Sequence, residues 1–189
     1  MRPEADICAF LAVNAAGPAL LAPLMQALSW LGDYHRTALY AAVLLTIALA
    51  RQRRSNALVA RRWFLAGLGM ALALPLSVLL TAGLKEAIGA PRPVALLGPD
   101  AVRVLGQTDS EYAFPSGHAA SAALLAASLW PILPTWGRAV AIMLALAVGA
   151  SRIRLGMHFP SDVLAGLTIG VAVAVASGLF VRRMFGERP

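Results

Sequence analysis

The 189-residue sequence is poor in charge and nearly lacks cysteine and lysine, with one of each. Charged residues make up 13% of it, against roughly 25% in an ordinary soluble domain, while 59% is hydrophobic. Mean hydropathy is +0.73. A chain of this length has no core large enough to hide that apolar excess, so a soluble globular protein is excluded and much of the surface must face lipid. The lone Cys8 excludes an intramolecular disulfide and any cysteine-based metal cluster. The opening Met-Arg-Pro-Glu-Ala-Asp lacks a basic n-region and no small-residue cleavage site follows it, so the first apolar segment is expected to stay in the mature protein.

The charge that is present is mostly of one sign: 16 basic residues against nine acidic ones, a net +7. Lys85 is the only lysine; the other basic residues are arginines. In a soluble protein a pI near 11.0 would point to nucleic acid. Here the arginines cluster between apolar runs, as the positive-inside rule expects of cytoplasmic loops, so membrane lipids and not nucleic acid are the expected partners. The segment holding Arg51, Arg53, Arg54, Arg61 and Arg62 without an acid is expected to be cytoplasmic, together with the tail carrying Arg182, Arg183 and Arg188.

A membrane-crossing helix needs about 20 residues. Apolar runs at Ile7 to Leu31, Thr37 to Ala50, Trp63 to Gly83, His118 to Leu133, Arg138 to Ala150 and Pro160 to Val181 give the expected fold. It is an all-α integral membrane bundle of about six transmembrane helices, forming one membrane-embedded domain over residues 1–189. Asn14, Gly17, Pro18 and Pro23 interrupt the first run, which leaves open an interfacial helix over Ala5 to Ala16. Pro75 predicts a kink in the third run, and the Gly166/Gly170 pair reads as close helix packing. The Gly32 to Arg36 turn, the loop from Leu84 to Phe114 and the Ser151 to Asp162 segment then share the outer side. That long loop carries Lys85, Arg92 and Arg103 against Glu86, Asp100, Asp109 and Glu111, so it is not a positive-inside loop.

Three polar stretches break the apolar pattern at the outer ends of the expected spans: Lys85 to Pro93, Pro115 to His118, and Ser151 to Asp162. Residues so costly near a membrane pair with one another or work. Lys85, Arg92 and Arg152, with Arg154 as a further candidate, suit a tetrahedral oxyanion, since guanidinium forks match phosphate oxygens and lysine adds a point charge. Ser116, Gly117 and His118 stand at the start of an alanine-rich helix, where N–H groups and the helix dipole favour an anion. His158 and Asp162 are four apart, the spacing at which a carboxylate holds one imidazole nitrogen and leaves the other to attack. Two histidines beside so many cations fit nucleophile and general acid better than metal ligands, so no metal and no cofactor are expected.

The ordered triple resembles the signature of the type 2 phosphatidic acid phosphatases, or lipid phosphate phosphatases: K-x6-R-P, then P-S-G-H, then S-R-x5-H-x3-D. The sequence reads Lys85 with Arg92-Pro93, Pro115-Ser116-Gly117-His118, and Ser151-Arg152 with His158 and Asp162, matching every fixed position. The resemblance implies a metal-independent phosphatase of the family's six-helix membrane branch. It makes His158 the nucleophile through a phosphohistidine, Asp162 its orienting partner, and His118 the acid that protonates the leaving group and then activates water. Lys85, Arg92, Ser116, Gly117 and Arg152 would bind the phosphoryl oxygens. A pH optimum set by at least two titrating groups follows.

The substrate class it implies is a lipid phosphate. Undecaprenyl diphosphate is the leading candidate, with phosphatidylglycerophosphate, phosphatidic acid and lipid A phosphates as alternatives, and the Val94 to Tyr112 loop is expected to shape the choice. A lipid phosphotransferase, a vanadate haloperoxidase and an anion channel are the rival classes. The apolar composition argues against the haloperoxidase, and cations gathered at one face argue against a pore. The expected location is a bacterial inner membrane with a periplasm-facing site; an endoplasmic-reticulum protein with a luminal site would show the same topology.

Overall fold

The computed structural model describes residues 2–52, 57–106 and 110–185. Arg53, Arg54, Asp109 and Arg188 of the charge pattern lie outside the described residues. The helices are α1 (Glu4–Ala15), α2 (Ala22–Leu31), α3 (Tyr34–Gln52), α4 (Ala57–Ile88), α5 (Pro93–Leu97), α6 (Gly117–Leu129), α7 (Thr135–Arg154) and α8 (Pro160–Phe185). Among the described residues extended pairing is limited to an isolated bridge between Pro91 and Tyr112.

Helices α4, α7 and α8 are long and apolar enough to cross a membrane by length and composition. At 1.5 Å per residue they measure roughly 48, 30 and 39 Å, against a hydrocarbon layer of about 30 Å. Helix α3 comes close at roughly 29 Å, and α6, at roughly 20 Å, is shorter than the apolar run that contains it. Pro75 lies inside α4, which continues through it to Ile88. Large apolar side chains face outward, among them Leu79 on α4 at 69% exposure and Leu164 on α8 at 63%. A bilayer covers such surfaces at no cost.

The first apolar run does not form one helix. Gly17 sits at φ +74°, in the left-handed region, and Pro18 follows it, so the helix that begins at Glu4 ends at Ala15 and the chain restarts in α2. Helix α1, roughly 18 Å long, is too short to span and matches the interfacial alternative in extent. It packs against the connection between α7 and α8. Phe10 is fully buried with its ring 5.1 Å from that of Phe159. The Asn14 side chain donates to the carbonyls of Arg103 (2.9 Å) and Arg154 (3.1 Å) and accepts from the Arg103 N–H (2.8 Å). Asn14 interrupts an apolar run because it ties the end of α7 to the loop at Arg103.

Helix α6 is the centre of the bundle, laid chiefly on α8 and flanked by α4 and α7. The contact with α8 runs along Gly166 and Gly170. A β-carbon on Gly166 would stand 2.3 Å from the Ser116 carbonyl oxygen, and one on Gly170 would stand 2.1 Å from that of Ala120. Below it, Leu44, Met70, Ala73, Leu124 and Ala174 form the core shared by α3, α4, α6 and α8.

The two ends of the bundle differ in chemistry. Arg61 near the start of α4 donates to the carbonyl of Phe185 at the end of α8 (2.6 Å), so the arginine-rich segments meet at one end. The start of α6, the end of α7 and the start of α8 lie together at the other.

Candidate active site

Helix α6 opens on Ser116, whose hydroxyl accepts from the Ala119 N–H at 3.5 Å, a long capping contact. The Ser116 N–H donates to the Asp162 carbonyl (3.0 Å), which ties the start of α6 to the first turn of α8. Gly117 and His118 follow as the first two helical residues, both half-buried. The positive end of the α6 dipole and the first N–H groups of that helix therefore lie next to Asp162.

The third stretch is compact because its turn is tight. Gly156, at φ +78°, lies so close to the Arg103 carbonyl that a β-carbon would stand 2.6 Å from its oxygen. The chain reverses there and delivers His158 to Asp162, with imidazole Nδ1 3.7 Å from carboxylate Oδ2. That separation is longer than a hydrogen bond and sets the carboxylate facing the ring nitrogen. The same carboxylate oxygen accepts from the Phe159 N–H at 2.9 Å, so Asp162 also closes the turn before α8. Asp162 is 0% exposed and His158 2%.

The cations hold the walls. Arg92 donates through Nε to the Ser110 carbonyl (2.8 Å), through one terminal nitrogen to the Met157 carbonyl (3.0 Å) and through the other to the Ser110 hydroxyl (3.0 Å). It thereby joins the first motif to the residue before His158. Lys85 Nζ donates to the Tyr112 carbonyl at 2.7 Å, and Arg152 to the Ser29 hydroxyl at 2.7 Å. Arg92 and Arg152 are buried and Lys85 is half-buried. Arg154 turns away instead, donating to the carbonyls of Asn14 (2.7 Å) and Gly17 (3.0 Å), so it fastens α1.

The structure thus brings the eight candidate residues to one end of the bundle, and adds side chains that sequence reasoning missed. Arg2 pairs with the second oxygen of Asp162 and donates to the Ser161 hydroxyl (2.5 Å). Asp6 accepts from the Ser161 N–H (2.9 Å) and hydroxyl (2.6 Å). Contacts across about 155 residues leave no trace in a local pattern. The one visible signal was the i,i+4 spacing of Arg2 and Asp6, which also pair with each other at 3.3 Å. Among the described residues no group of three or more histidine, cysteine or acidic side chains is placed to hold a metal ion.

Burial pushes the His158 imidazole down to about 4; the Asp162 carboxylate opposes this, and the charges of Arg152 and Arg92 reinforce it. His158 is therefore neutral at pH 7, the form in which a ring nitrogen can attack. Because its value in the fold lies below that in the unfolded chain, His158 contributes stability fully above about pH 6.5, and this is lost as pH falls toward about 4. Thermal unfolding of the wild type and of His158→Gln between pH 7 and 4 should show the wild type losing stability more steeply. Parallel curves would contradict the assignment.

A family model described as the PAP2 superfamily matches residues 65–185, from the first third of α4 to the end of α8. The chain belongs to the PAP2 superfamily. Among its relatives, the decaprenylphosphoryl-5-phosphoribose phosphatase of Mycobacterium tuberculosis is 33% identical over 90% of this chain and 88% of its own length. The crystal structure of the first transmembrane PAP2 type phosphatidylglycerolphosphate phosphatase from Bacillus subtilis superposes with a TM-score of 0.78 at 26% identity, covering 97% of this chain and 88% of that one. The crystal structure of Aquifex aeolicus LpxE gives 0.72 at 27% identity, with 90% and 93% covered. With a transmembrane PAP2 fold and helices of membrane-crossing length, this is an integral membrane protein.

Proposed function

We propose that the chain is a lipid phosphate phosphatase that hydrolyses its substrate through a phosphohistidine on His158. The observation that carries this reading is the buried His158–Asp162 pair lying beside the N-terminus of α6 and walled by Arg92 and Arg152. Asp162 faces Nδ1, which leaves Nε2 to attack phosphorus as the bond to the leaving oxygen breaks. His118 supplies the proton to that oxygen and then takes one from the water that attacks phosphorus and releases the histidine. Lys85, Arg92, Arg152, Ser116 and Gly117 bind the oxygens on which charge accumulates. Cationic side chains fill the electrostatic role in this scheme, so chelation by EDTA should leave turnover unchanged.

A lipid substrate is supported by the apolar groove along α6. About 420 Å³ of it is lined by Tyr40, Leu44, Leu125, Leu129, Leu144 and Val148, with Leu31 and Ala122 at the end nearest His118. The groove lies between α3 and α7 and gives a hydrocarbon chain a place beside the headgroup. The Mycobacterium relative is named for a polyprenyl-carried phosphate, and it matches nearly end to end. A polyprenyl phosphate is accordingly the substrate class proposed, with undecaprenyl diphosphate the first to test. The arginines of α4 and α8 at the opposite end support a site facing the outer side of a bacterial inner membrane.

Phosphate release by the purified protein should be compared on undecaprenyl diphosphate, a polyprenylphosphoryl sugar phosphate, phosphatidylglycerophosphate, phosphatidic acid and lipid A. Polyprenyl substrates should give the highest kcat/KM. A preference for a glycerolipid would overturn the polyprenyl assignment, and turnover confined to soluble esters would remove the lipid reading altogether.

A further inference from the structure

The mechanism assigned to His158 depends on where Asp162 points, and the side chain of Arg2, two residues before α1, meets that carboxylate. The carboxylate divides its two oxygens between two elements: Oδ2 faces His158 Nδ1 and the Phe159 N–H, and Oδ1 meets the Arg2 guanidinium. A buried carboxylate with one oxygen unsatisfied would rotate or draw in water. Arg2 holds it from the far side.

Arg2 is itself positioned from three directions. Its guanidinium lies over the Phe159 ring at 4.6 Å, donates to the Ser161 hydroxyl, and pairs with Asp6 one turn along α1. Asp6 accepts both the N–H and the hydroxyl of Ser161 and so caps the start of α8 beside Asp162. Phe10 against Phe159 and Asn14 against Arg103 and Arg154 seat the rest of the helix. Every contact falls on the segment that carries the His/Asp pair or on the loop packed against it. Anchoring α1 through its apolar face alone would not require a half-buried charge network of this kind.

We propose that Arg2 and Asp6 are positioning residues of the active site, and that the N-terminal segment of Arg2 and α1 acts as its third wall by holding the Asp162 carboxylate on His158. The proposal rests on the phosphohistidine reading above. Neither residue touches the reacting atoms. Titratable and charged groups facing Asp162 come from the N-terminal segment (Arg2 and, through Ser161, Asp6 of α1) and from the connection into α8 (His158). Arg152 and Arg92 act on His158 from α7 and the first motif.

The test is steady-state kinetics of the full chain in detergent for Arg2→Gln, Arg2→Lys, Asp6→Asn and Asp162→Asn, and for the double variant Arg2→Gln/Asp162→Asn, with thermal unfolding measured on each. A loose carboxylate misplaces the imidazole by a fraction of an ångström, an error that costs about tenfold to a hundredfold in turnover. Arg2→Gln should therefore lower kcat by about that factor with KM nearly unchanged, and Arg2→Lys should recover part of the loss. In the Asp162→Asn background, Arg2→Gln should cost less than about threefold, because the group it holds is already gone. Equal losses in both backgrounds, or a kcat loss that tracks unfolding temperature across the series, would show that α1 only stabilises the fold. Wild-type kcat in Arg2→Gln would also overturn the proposal. Should Asp162→Asn and His158→Ala retain full activity, the mechanism fails and not merely the role of α1, so the two failures are distinguishable.

Discussion

Replacing His158 with alanine is expected to lower phosphate release by at least about 10⁴-fold, with the unfolding temperature at pH 7 little changed. The size follows from the role proposed for it: without that nucleophile the remaining donors would stabilise charge but no N–P bond could form, and only the residual catalysis of the proposed phosphate cradle would be left. Nearby, Asp162→Asn keeps the shape and should fall between this and the wild type. Alanine at His118 should look different. With a substrate whose leaving group needs no proton, such as a nitrophenyl phosphate, the first step survives, but water is no longer activated. Radiolabelled phosphate should then accumulate on the protein, stable to alkali and released by acid, and the label should be absent from the His158→Ala variant. Full activity in purified, folded His158→Ala protein would remove the mechanism, and label on another residue would reassign the nucleophile.

Most of this site could be read in the sequence because its parts obey local rules. The three motifs each carry unusual residues at short spacing, so Lys85, Arg92, Ser116, Gly117, His118, Arg152, His158 and Asp162 stood out against an apolar background. The long helices α4, α7 and α8 were equally visible, since length and hydropathy decide a membrane helix before any packing does, whereas the short α5 lies inside the stretch read as a loop. What stayed hidden depended on distant partners. Asn14 and Arg154 look like a flaw in a span and a spare phosphate ligand. They are instead two sides of one bracket, in which Arg154 donates to the Asn14 carbonyl and Asn14 to that of Arg154. Arg2 and Asp6 look like ordinary helix-start charges until the fold sets them against Ser161 and Asp162, more than 150 residues away. The shortness of α6 was hidden for another reason: apolar residues continue to Leu133, but the helix ends at Leu129, before Pro131.

The glycine pair on α8 gives the second large effect, through packing. Gly166 faces the carbonyl of Ser116 and Gly170 that of Ala120, so the two helices touch along backbone where no side chain can move aside. A β-carbon at 2.1 Å from a carbonyl oxygen must push α8 away from α6, and overpacking of this kind costs about 1–3 kcal/mol even where side chains can yield. Gly170→Leu should therefore cost at least about 3 kcal/mol, seen as a loss of folded protein in detergent or a marked drop in unfolding temperature. Gly166→Ala is the more informative change. Its methyl group would meet the Ser116 oxygen one residue from Gly117, at the point where the Ser116 N–H holds the Asp162 carbonyl. Any shift there separates the proposed anion-binding turn of α6 from the His158–Asp162 pair, so activity should fall by about a hundredfold even in the fraction that folds. Gly178 offers the control on the same helix, since a β-carbon there would meet nothing within 4 Å. Gly178→Ala should leave both stability and turnover near the wild type. If Gly166→Ala matched it in both measurements, the close α6–α8 contact could not be what aligns the two halves of the site.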